Sequence, residues 1–217
     1  MASFLITGAS RGFGLALARE LVSLPAKDVS KIFASARGDS PALDELAKSS
    51  SGRVVVVKLD VTNQQSIEKA VAEVEAKLEV KGLDVLINNA GVCQYAADGV
   101  KSISTTLGST TLAPAAHNLP APAYKISKAA MNALTVQYAL DYEKQGFSFI
   151  ALCPGWMKTD LGGGDMADLT AEQGAKASLN IIFTPGQKYN GKMPKVLVKG
   201  WEKNAGNNQY DGAIAPW

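Results

Sequence analysis

Tyr124 and Lys128 lie four residues apart, a spacing that places two side chains on the same face of a helix. A free tyrosine hydroxyl has a pKa of about 10, so it is a poor proton donor or acceptor at neutral pH. A neighbouring ammonium group favours the phenolate, and Lys128 is therefore expected to lower the pKa of Tyr124 and fit it for general acid–base chemistry. The spacing alone is a weak signal, because in most helices it marks two surface residues, so the accompanying motifs carry the argument.

A glycine-rich turn, Thr7–Gly14, follows the short apolar run Phe4–Ile6, which predicts a buried parallel strand. The next segment, Leu15–Leu24, predicts a helix that ends before Pro25. A turn of this kind, between a strand and a helix, lets backbone amides and a helix N-terminus approach a pyrophosphate. The sequence therefore predicts a dinucleotide site, and a tight turn without a ligand is the alternative. The glycines that allow the close approach are Gly8, Gly12 and Gly14.

Arg37 ends the second predicted strand, Ile32–Ala36. An acidic residue at this position would bind a ribose 2′-hydroxyl, whereas an arginine accommodates a 2′-phosphate. Arg11, in the glycine-rich turn, supplies a second cation. The pair predicts NADP(H) in preference to NAD(H), the alternative being two solvated arginines.

Two further predicted strands end in residues suited to a cofactor. Val54–Leu59 is rich in β-branched residues and leads into Asp60–Val61, where the carboxylate is placed to accept a hydrogen bond from an adenine amino group. Leu83–Ile87 leads into Asn88–Gly91, whose small residues leave room for a cofactor. We expect the amide side chains there to tie neighbouring strands together.

The elements that position these residues alternate between strand and helix. Apolar residues at helical spacing between the third and fourth strands predict one helix that faces a sheet. The pattern predicts an α/β fold: a Rossmann-type, doubly wound parallel sheet with helices on both faces. In the C-terminal half we predict strands at Ser102–Thr105, Phe147–Cys153 and Val196–Val198, helices at Pro122–Glu143 and Ala171–Ile182, and a mobile lid hinge at Gly162–Gly164.

The composition limits the classes of function. The chain has 217 residues, 47% of them hydrophobic, and a formal net charge of +2. This size suits one core, and we predict a single NAD(P)-binding domain over residues 1–217. The balanced charge argues against a nucleic-acid partner, and no apolar run approaches the roughly 20 residues that span a bilayer, so no membrane partner is expected.

The N-terminus leads directly into a strand and predicts no signal peptide. Cys93 and Cys153 are the two cysteines, which indicates a reducing compartment, and we expect a cytoplasmic protein in which both are small buried hydrophobic residues. His117 is the one histidine. Without a second histidine, a metal site or a histidine-based triad has little support.

Taken together, the motifs occur in the order found in short-chain dehydrogenases/reductases, and the chain resembles this family over nearly its whole length. The motifs are Thr7-Gly-x-x-x-Gly12-x-Gly14, Asp60-Val61, Asn88-Asn-Ala-Gly91, a hydroxyl-bearing strand end, Tyr124-x-x-x-Lys128 and Pro154-Gly155. In detail the chain resembles the C-factor/sniffer-type branch, which includes fungal ketoreductases such as norsolorinic acid reductase. The residues that carry this detail are Pro154 to Asp160, Ala167 to Thr170 and Tyr210 to Trp217.

The resemblance implies that hydride passes from NADPH to a carbonyl carbon. Tyr124 would then donate a proton to the developing alkoxide, and Lys128 would lower the tyrosine pKa and contact the nicotinamide ribose. Thr105 aligns with the family's serine that holds the carbonyl oxygen, and Ser104 is the alternative. The implied cofactor-binding residues are Gly8, Ser10, Arg11, Gly12, Phe13, Gly14, Arg37, Asp60, Val61, Asn89, Ala90, Gly91, Tyr124, Lys128, Pro154, Gly155, Met157 and Thr159.

The chain departs from the family pattern between Gly91 and Ser102, which are separated by only 10 residues. A parallel crossover normally needs a dozen or more residues, usually including a helix. We therefore predict a sheet that lacks the helix between its fourth and fifth strands. An alternative splice form or an imperfect gene model would also explain the gap.

Three expectations follow from the missing helix. One face of the sheet and the flank of the Tyr124 helix should expose an apolar patch. The family's catalytic asparagine, which lies in that helix, would be absent, and the homodimer that members often form through it becomes an open question. The leading hypothesis is an NADPH-dependent carbonyl reductase with a small-molecule carbonyl or alcohol substrate; the alternative is a catalytically impaired or inactive NADP-binding protein.

Overall fold

The computed structural model describes residues 1–78, 82–90, 104–203 and 208–217. The chain divides into two compact units, Met1–Ala90 and Gly91–Trp217. The prediction of a single domain over residues 1–217 therefore stays a prediction.

The first unit alternates strand and helix throughout. Its elements are β1 (Ala2–Ile6), α1 (Gly12–Ser23), β2 (Val29–Ala36), α2 (Pro41–Ser49), β3 (Val54–Lys58), α3 (Gln64–Leu78) and β4 (Val85–Ile87). The strands form a parallel sheet in the order β3-β2-β1-β4, with Phe4 opposite both Ile32 and Val85. This sheet with flanking helices confirms the predicted α/β class. The predicted crossover without a helix falls on residues 91–103, outside the described residues.

The first unit's core explains why these segments form strands and helices. Phe4 and Ile6 of β1 are fully buried, as are Leu17 and Leu21 of α1. β-Branched and aromatic residues pack well on a pleated sheet, and helix residues three to four apart present one apolar stripe to it. A second cluster joins the sheet to α3, and its buried members are Phe33, Val57, Leu59, Ala70 and Val74.

Arg53, just before β3, closes the C-terminal end of α1. Its Nη1 donates to the carbonyl oxygen of Val22 (2.8 Å), and its Nη2 donates to those of Leu24 (2.9 Å) and Val29 (2.8 Å). The last carbonyls of a helix have no partner within the helix. The guanidinium therefore satisfies the end of α1 and ties it to the start of β2.

The second unit is built around two helices, α4 (Pro122–Asp141) and α5 (Ala171–Ile182). A capping box, in which Thr170 and Gln173 exchange side-chain and backbone hydrogen bonds, starts α5. The short antiparallel pair β5 (Met193–Pro194) and β6 (Ile214–Ala215) completes the unit. Its 3₁₀ helices span Thr106–Gly108, Ala113–Ala116, Glu143–Gln145 and Gly164–Met166.

Of the three strands predicted in this half, two are wrong, and the described part of the other forms no strand. Ser104 and Thr105 lie outside any strand, and the rest of that segment lies outside the described residues. The run at 147–153 makes only isolated bridges, at Ile150 and Cys153. The nearest strand to the prediction at 196–198 is β5, which ends at Pro194, so that prediction is misplaced, with only Leu197 forming a bridge. An apolar run becomes a strand only where a neighbour supplies a continuous ladder, which a local pattern does not reveal.

The helices were predicted more closely. α5 has the predicted bounds, α1 begins three residues earlier than expected, and α4 ends two residues earlier, at Asp141. A 3₁₀ turn and Gly146 (φ +80°) follow α4, which redirects the chain. α2 was not predicted. No helix among the described residues is long and apolar enough to cross a membrane.

Candidate functional site

The glycine-rich turn of the first unit has the backbone shape that a dinucleotide site needs. Gly8 and Gly12 have positive φ values of +67° and +55°, a region that side chains disfavour. A Cβ atom on Gly8 would lie 2.7 Å from the Cα of Ala90. Arg11 is the N-cap of α1, so the turn leads straight into a 12-residue helix whose N-terminal amides can hold a phosphate.

Hydrogen bonds from the second strand and its following loop hold this turn in place. Gly8 N donates to Ser35 Oγ (3.3 Å), and Ala9 N donates to the Ser35 carbonyl (2.7 Å). Ser40, the buried N-cap residue of α2, donates from its hydroxyl to the Ser10 carbonyl (3.1 Å). The turn is thus organised before any ligand arrives, which lowers the entropic cost of binding.

Asn89 fastens the end of β4 to the glycine-rich turn. Its Nδ2 donates to the carbonyl oxygens of Thr7 and Gly8, both at 2.9 Å. The Thr7 hydroxyl accepts from Asn89 N (3.0 Å) and Ala90 N (2.8 Å). Strand tying by an amide side chain was expected from the sequence. The sequence analysis did not predict that the Thr7 hydroxyl would accept these hydrogen bonds. Its position beside a glycine at the end of a strand was the signal that could have indicated it.

Arg37 and Asp60 lie near each other at the ends of neighbouring strands. Arg37 is exposed. Asp60 accepts from the hydroxyl (2.7 Å) and amide (2.9 Å) of Thr62, and these bonds, with a smaller contribution from the charge of Arg37, lower the pKa of Asp60. Asp60 is therefore a fixed carboxylate near an exposed guanidinium. This edge can offer an acceptor to an amino group and a cation to a phosphate.

In the second unit, Tyr124 and Lys128 lie one turn apart on α4, as their spacing predicts. The Nζ of Lys128 is 5.5 Å from the centroid of the Tyr124 ring. Lys128 has no exposed surface, and burial lowers its pKa to about 7. Within the described ranges its Nζ has no hydrogen-bond partner. A buried amino group without an acceptor is costly, so this atom fits a ligand that brings hydroxyl groups, such as a nucleotide ribose.

A loop packs tightly on α4 beside Lys128. A Cβ atom on Gly108 would lie 2.6 Å from the Cβ of Lys128. Ser104 is buried and donates its hydroxyl to Oδ1 of Asn132, whose Nδ2 donates to the Gly108 carbonyl (3.3 Å). The Ser104 hydroxyl is therefore committed to α4. Asn132 was missed by the sequence analysis, although it continues the spacing of Tyr124 and Lys128 by one more turn.

Thr105 lies at the start of this loop, beside Cys153. Its Oγ1 accepts from Leu107 N (3.4 Å) as the N-cap of the 3₁₀ turn. Burial raises the pKa of the Cys153 thiol, and weaker hydrogen bonds, including one with the Thr105 hydroxyl, oppose this. Cys153 is buried, as expected of a small hydrophobic residue, whereas Cys93 lies outside the described residues. Thr105 and the Pro154–Gly155 pair are thereby brought together.

We call residues 154–170 the returning loop, because the chain leaves Pro154 and then folds back beside the start of this segment before α5 begins. Gly155 has φ +89°, and the Met157 side chain packs against Gly174 of α5. Thr159 Oγ1 accepts from Gly162 N (3.1 Å). Gly162 and Gly164 also donate to the Thr159 carbonyl (2.9 and 3.0 Å), so two of the predicted hinge glycines are hydrogen-bonded within a turn, and the hinge itself stays a prediction. Of the remaining predicted cofactor residues, Phe13 is buried in α1, Val61 is exposed after Asp60, and Gly91 lies outside the described residues.

The described residues contain no cluster of three or more potential metal-ligating histidine, cysteine or acidic side chains. His117 is exposed and pairs with the neighbouring Asn118 (2.9 Å). In the first unit, the strand ends carry a preorganised turn whose backbone amides can bind a phosphate. In the second, the structure presents a phenol, a buried amine and a threonine hydroxyl, groups suited to proton transfer.

Comparisons with known proteins agree with this chemistry. Residues 3–111 match the family model described as short chain dehydrogenase. An uncharacterized oxidoreductase of Schizosaccharomyces pombe is 27% identical over 252 aligned positions, which cover 99% of this chain and 97% of the relative. Since the chain has 217 residues, that relative has segments without a counterpart here.

Two solved structures resemble the chain along its whole length. One is carbonyl reductase Sniffer of D. melanogaster, with a TM-score of 0.79, 27% identity and full coverage of both chains. The other is an NADPH-bound carbonyl reductase from chicken fatty liver, with a TM-score of 0.80 and 27% identity, covering 100% of this chain and 99% of that one. The predicted likeness to Sniffer-type proteins is confirmed, whereas the likeness to norsolorinic acid reductase stays a prediction.

Proposed function

The chain belongs to the short-chain dehydrogenase family of oxidoreductases, and on that premise we propose that it is an NADPH-dependent carbonyl reductase. The observation that carries this proposal is the buried Lys128 amine, which lies beside Tyr124 and lacks an acceptor among the described residues. A protein that only binds a nucleotide could use this amine to hold the ribose, but it needs no tyrosine beside it. A reductase needs the amine to tune Tyr124 as a proton donor.

Each polar group has one task in the proposed reaction. Bound NADPH supplies a hydride to the carbonyl carbon. Tyr124 donates its hydroxyl proton to the carbonyl oxygen as negative charge develops there, which yields the alcohol. Thr105 donates a hydrogen bond to the same oxygen. Lys128, whose pKa is about 7, favours the resulting phenolate and can pass a proton back to it at neutral pH.

The preference for NADPH is proposed from Arg37 and Arg11. Arg37 is exposed at the end of β2 and its charge reaches Asp60, so the guanidinium lies at the strand edge where a 2′-phosphate is bound in such folds. Arg37→Ala should weaken NADPH binding about 10- to 100-fold, because a charge-assisted hydrogen bond is lost, and change NADH binding little. Fluorescence titration measures both, and Arg19→Ala, on the exposed side of α1, is the matched control.

Tyr124→Phe tests the catalytic proposal directly. We expect NADPH-dependent reduction of a panel of ketones and aldehydes to fall at least 100-fold, since the proton donor is lost, while the NADPH dissociation constant stays near the wild-type value. A Tyr124→Phe variant as active as the wild type would overturn the proposed role. Tyr142→Phe, an exposed tyrosine at the end of the same helix, controls for the loss of a hydroxyl.

A catalytically impaired NADP-binding protein is the second candidate. It is favoured by the short stretch between Gly91 and Ser102, where the sequence lacks room for the family's helix. Selective NADPH binding without turnover of any carbonyl in the panel, in both the wild type and Tyr124→Phe, would support it.

The substrate class is proposed from two loops that we expect to border the pocket, Ala113–Pro122 and Gly162–Thr170. Leu119 is 43% exposed in the first loop, and Met166 is 74% exposed in the second. Accessible apolar side chains favour an apolar carbonyl compound, aromatic or polyketide-like, because its burial against them is favourable. Comparing kcat/KM for aliphatic, aromatic and charged ketones tests this assignment.

A further inference from the structure

Two stretches of the returning loop are paired with each other. Lys158 N donates to the Leu169 carbonyl (2.7 Å), and Leu169 N donates to the Trp156 carbonyl (3.0 Å), as in a short parallel bridge. The indole Nε1 of Trp156 also donates to the Gly162 carbonyl (2.7 Å). The stretch that carries Met157 is therefore held by the stretch that precedes α5.

Tyr210, from the C-terminal segment, joins both stretches through one hydroxyl group. The phenol accepts from Trp156 N (3.2 Å) and donates to Oδ2 of Asp168 (2.5 Å). Asn208 Nδ2 donates to the same carboxylate oxygen (2.9 Å). The Tyr210 ring packs under Gly155, where an added Cβ atom would lie 3.1 Å from Cε1.

The Tyr210 side chain is itself firmly held. It is only 5% exposed, and its ring centroid is 5.8 Å from that of Trp201. Tyr210 N donates to the Trp201 carbonyl (3.2 Å), and Val198 N donates to the Tyr210 carbonyl (2.9 Å). Burial, together with the hydrogen bond to Asp168, raises the pKa of Tyr210 far above neutral, so the phenol remains a donor.

We propose that Tyr210 and Asp168 are positioning residues that fix the returning loop, and with it Met157 and Thr159, in the shape that binds the cofactor. This inference rests on the proposed function, because it assigns the two residues to the NADPH site. Neither residue is assigned contact with cofactor or substrate. They act by removing alternative conformations of a stretch that contains three consecutive glycines, two of which have positive φ.

A hydrogen bond to a carboxylate is roughly twice as strong as a neutral one, and here one phenol restrains two chain segments at once. Without it, the loop must be ordered when the cofactor binds. The expected consequence is weaker NADPH binding with little change in kcat at saturating NADPH, since Tyr124 and Lys128 lie on α4 and the proton transfer is unaltered.

The experiment compares Tyr210→Phe, Asp168→Asn and the double variant with the wild-type chain. Tyr210→Phe should raise the NADPH dissociation constant about tenfold, equivalent to about 1.4 kcal/mol, at a temperature where circular dichroism shows full folding. Asp168→Asn keeps an acceptor oxygen and should have a smaller effect. The double variant should bind no more weakly than Tyr210→Phe, because both changes break one bridge. Tyr142→Phe should match the wild type.

Other outcomes overturn the inference. A lower unfolding midpoint with an unchanged NADPH dissociation constant would make the bridge purely structural. A fall in kcat with unchanged NADPH affinity would place its effect elsewhere. If the wild type binds no NADPH, the proposed function fails together with this inference, whereas selective wild-type binding that Tyr210→Phe and Asp168→Asn both retain overturns only the inference. Should Tyr210→Phe not fold, Asp168→Asn alone decides the question.

Discussion

A Cβ atom on Gly14 would lie against the side-chain nitrogen of Asn89, well inside contact distance, and equally close to the Gly8 carbonyl. Gly14 is therefore needed so that Asn89 can reach the two carbonyls of the glycine-rich turn. The third glycine of the motif thus acts through a hydrogen bond in the fold. This role is independent of any phosphate.

Gly14→Ala should destabilise the chain by about 1–3 kcal/mol, because the extra methyl group displaces the Asn89 amide or the backbone of the turn. Urea unfolding measures the change. Gly38→Ala is the matched control, since an added Cβ there meets nothing within 4 Å, and it should be neutral or stabilise by about 0.4–1 kcal/mol. Equal stability of the two variants would contradict the packing argument.

Lys128 should make the stability of the ligand-free protein rise with pH. Its pKa is lowered from 10.5 to about 7 in the folded state, so above pH 7 the unfolded chain binds more protons, and stability increases until the unfolded pKa is reached. The steepest slope from one such group is about 1.4 kcal/mol per pH unit. Cys153 and Tyr210 have raised pKa values and act in the opposite direction at higher pH, which leaves pH 7–8.5 as the clean window.

Lys128→Met should flatten this rise, as measured by urea unfolding at several pH values between 7 and 8.5. Lys125→Met is the control, because it removes a lysine from the same helix without touching Lys128. A slope that persists unchanged in Lys128→Met would show that the amine titrates normally and is not desolvated.

The two neighbouring hydroxyls, Thr105 and Ser104, should respond differently to substitution. Thr105→Val should lower kcat about 100-fold, as expected when a donor to the developing oxyanion is removed, and Thr105→Ser should restore it. Ser104→Ala should instead cost about 1–3 kcal/mol of stability, since it leaves Oδ1 of Asn132 buried and unpaired. Steady-state kinetics and urea unfolding measure the two effects. A loss of kcat in Ser104→Ala with normal activity in Thr105→Val would reverse the proposed roles.

The outer face of α4 should bind a hydrophobic dye. Ile126, Leu134 and Leu140 are 69%, 49% and 65% exposed and lie opposite the buried Lys128 and Asn132. Leu134→Lys/Leu140→Lys should reduce dye fluorescence and aggregation while changing stability by less than about 0.5 kcal/mol per site.

Val71→Lys, a change at an apolar residue of α3 that is 47% exposed, is the control for that experiment and should alter dye binding little. A monodisperse wild-type chain that binds no dye would contradict the prediction that the outer face of α4 is an accessible apolar patch.

The sequence alone determined the parallel sheet, the glycine-rich turn and the spacing of Tyr124 and Lys128. These depend on local patterns: apolar runs at β1 and β3, a strand–turn–helix order, and a four-residue helical spacing. A local pattern extends over only a few consecutive residues, so it can be recognised without knowing which segments pack against it.

The tertiary structure alone decided which groups are buried and paired. In the folded chain Ser104 donates a hydrogen bond to Asn132, and Lys128 is buried without a hydrogen-bond acceptor among the described residues. Tyr210 meets Asp168, which is 42 residues away in the sequence. The tertiary structure also turned the predicted strand at 147–153 into isolated bridges. Such outcomes depend on distant segments meeting, and the free energy of burying or pairing a polar group is set by that meeting rather than by its neighbours in sequence.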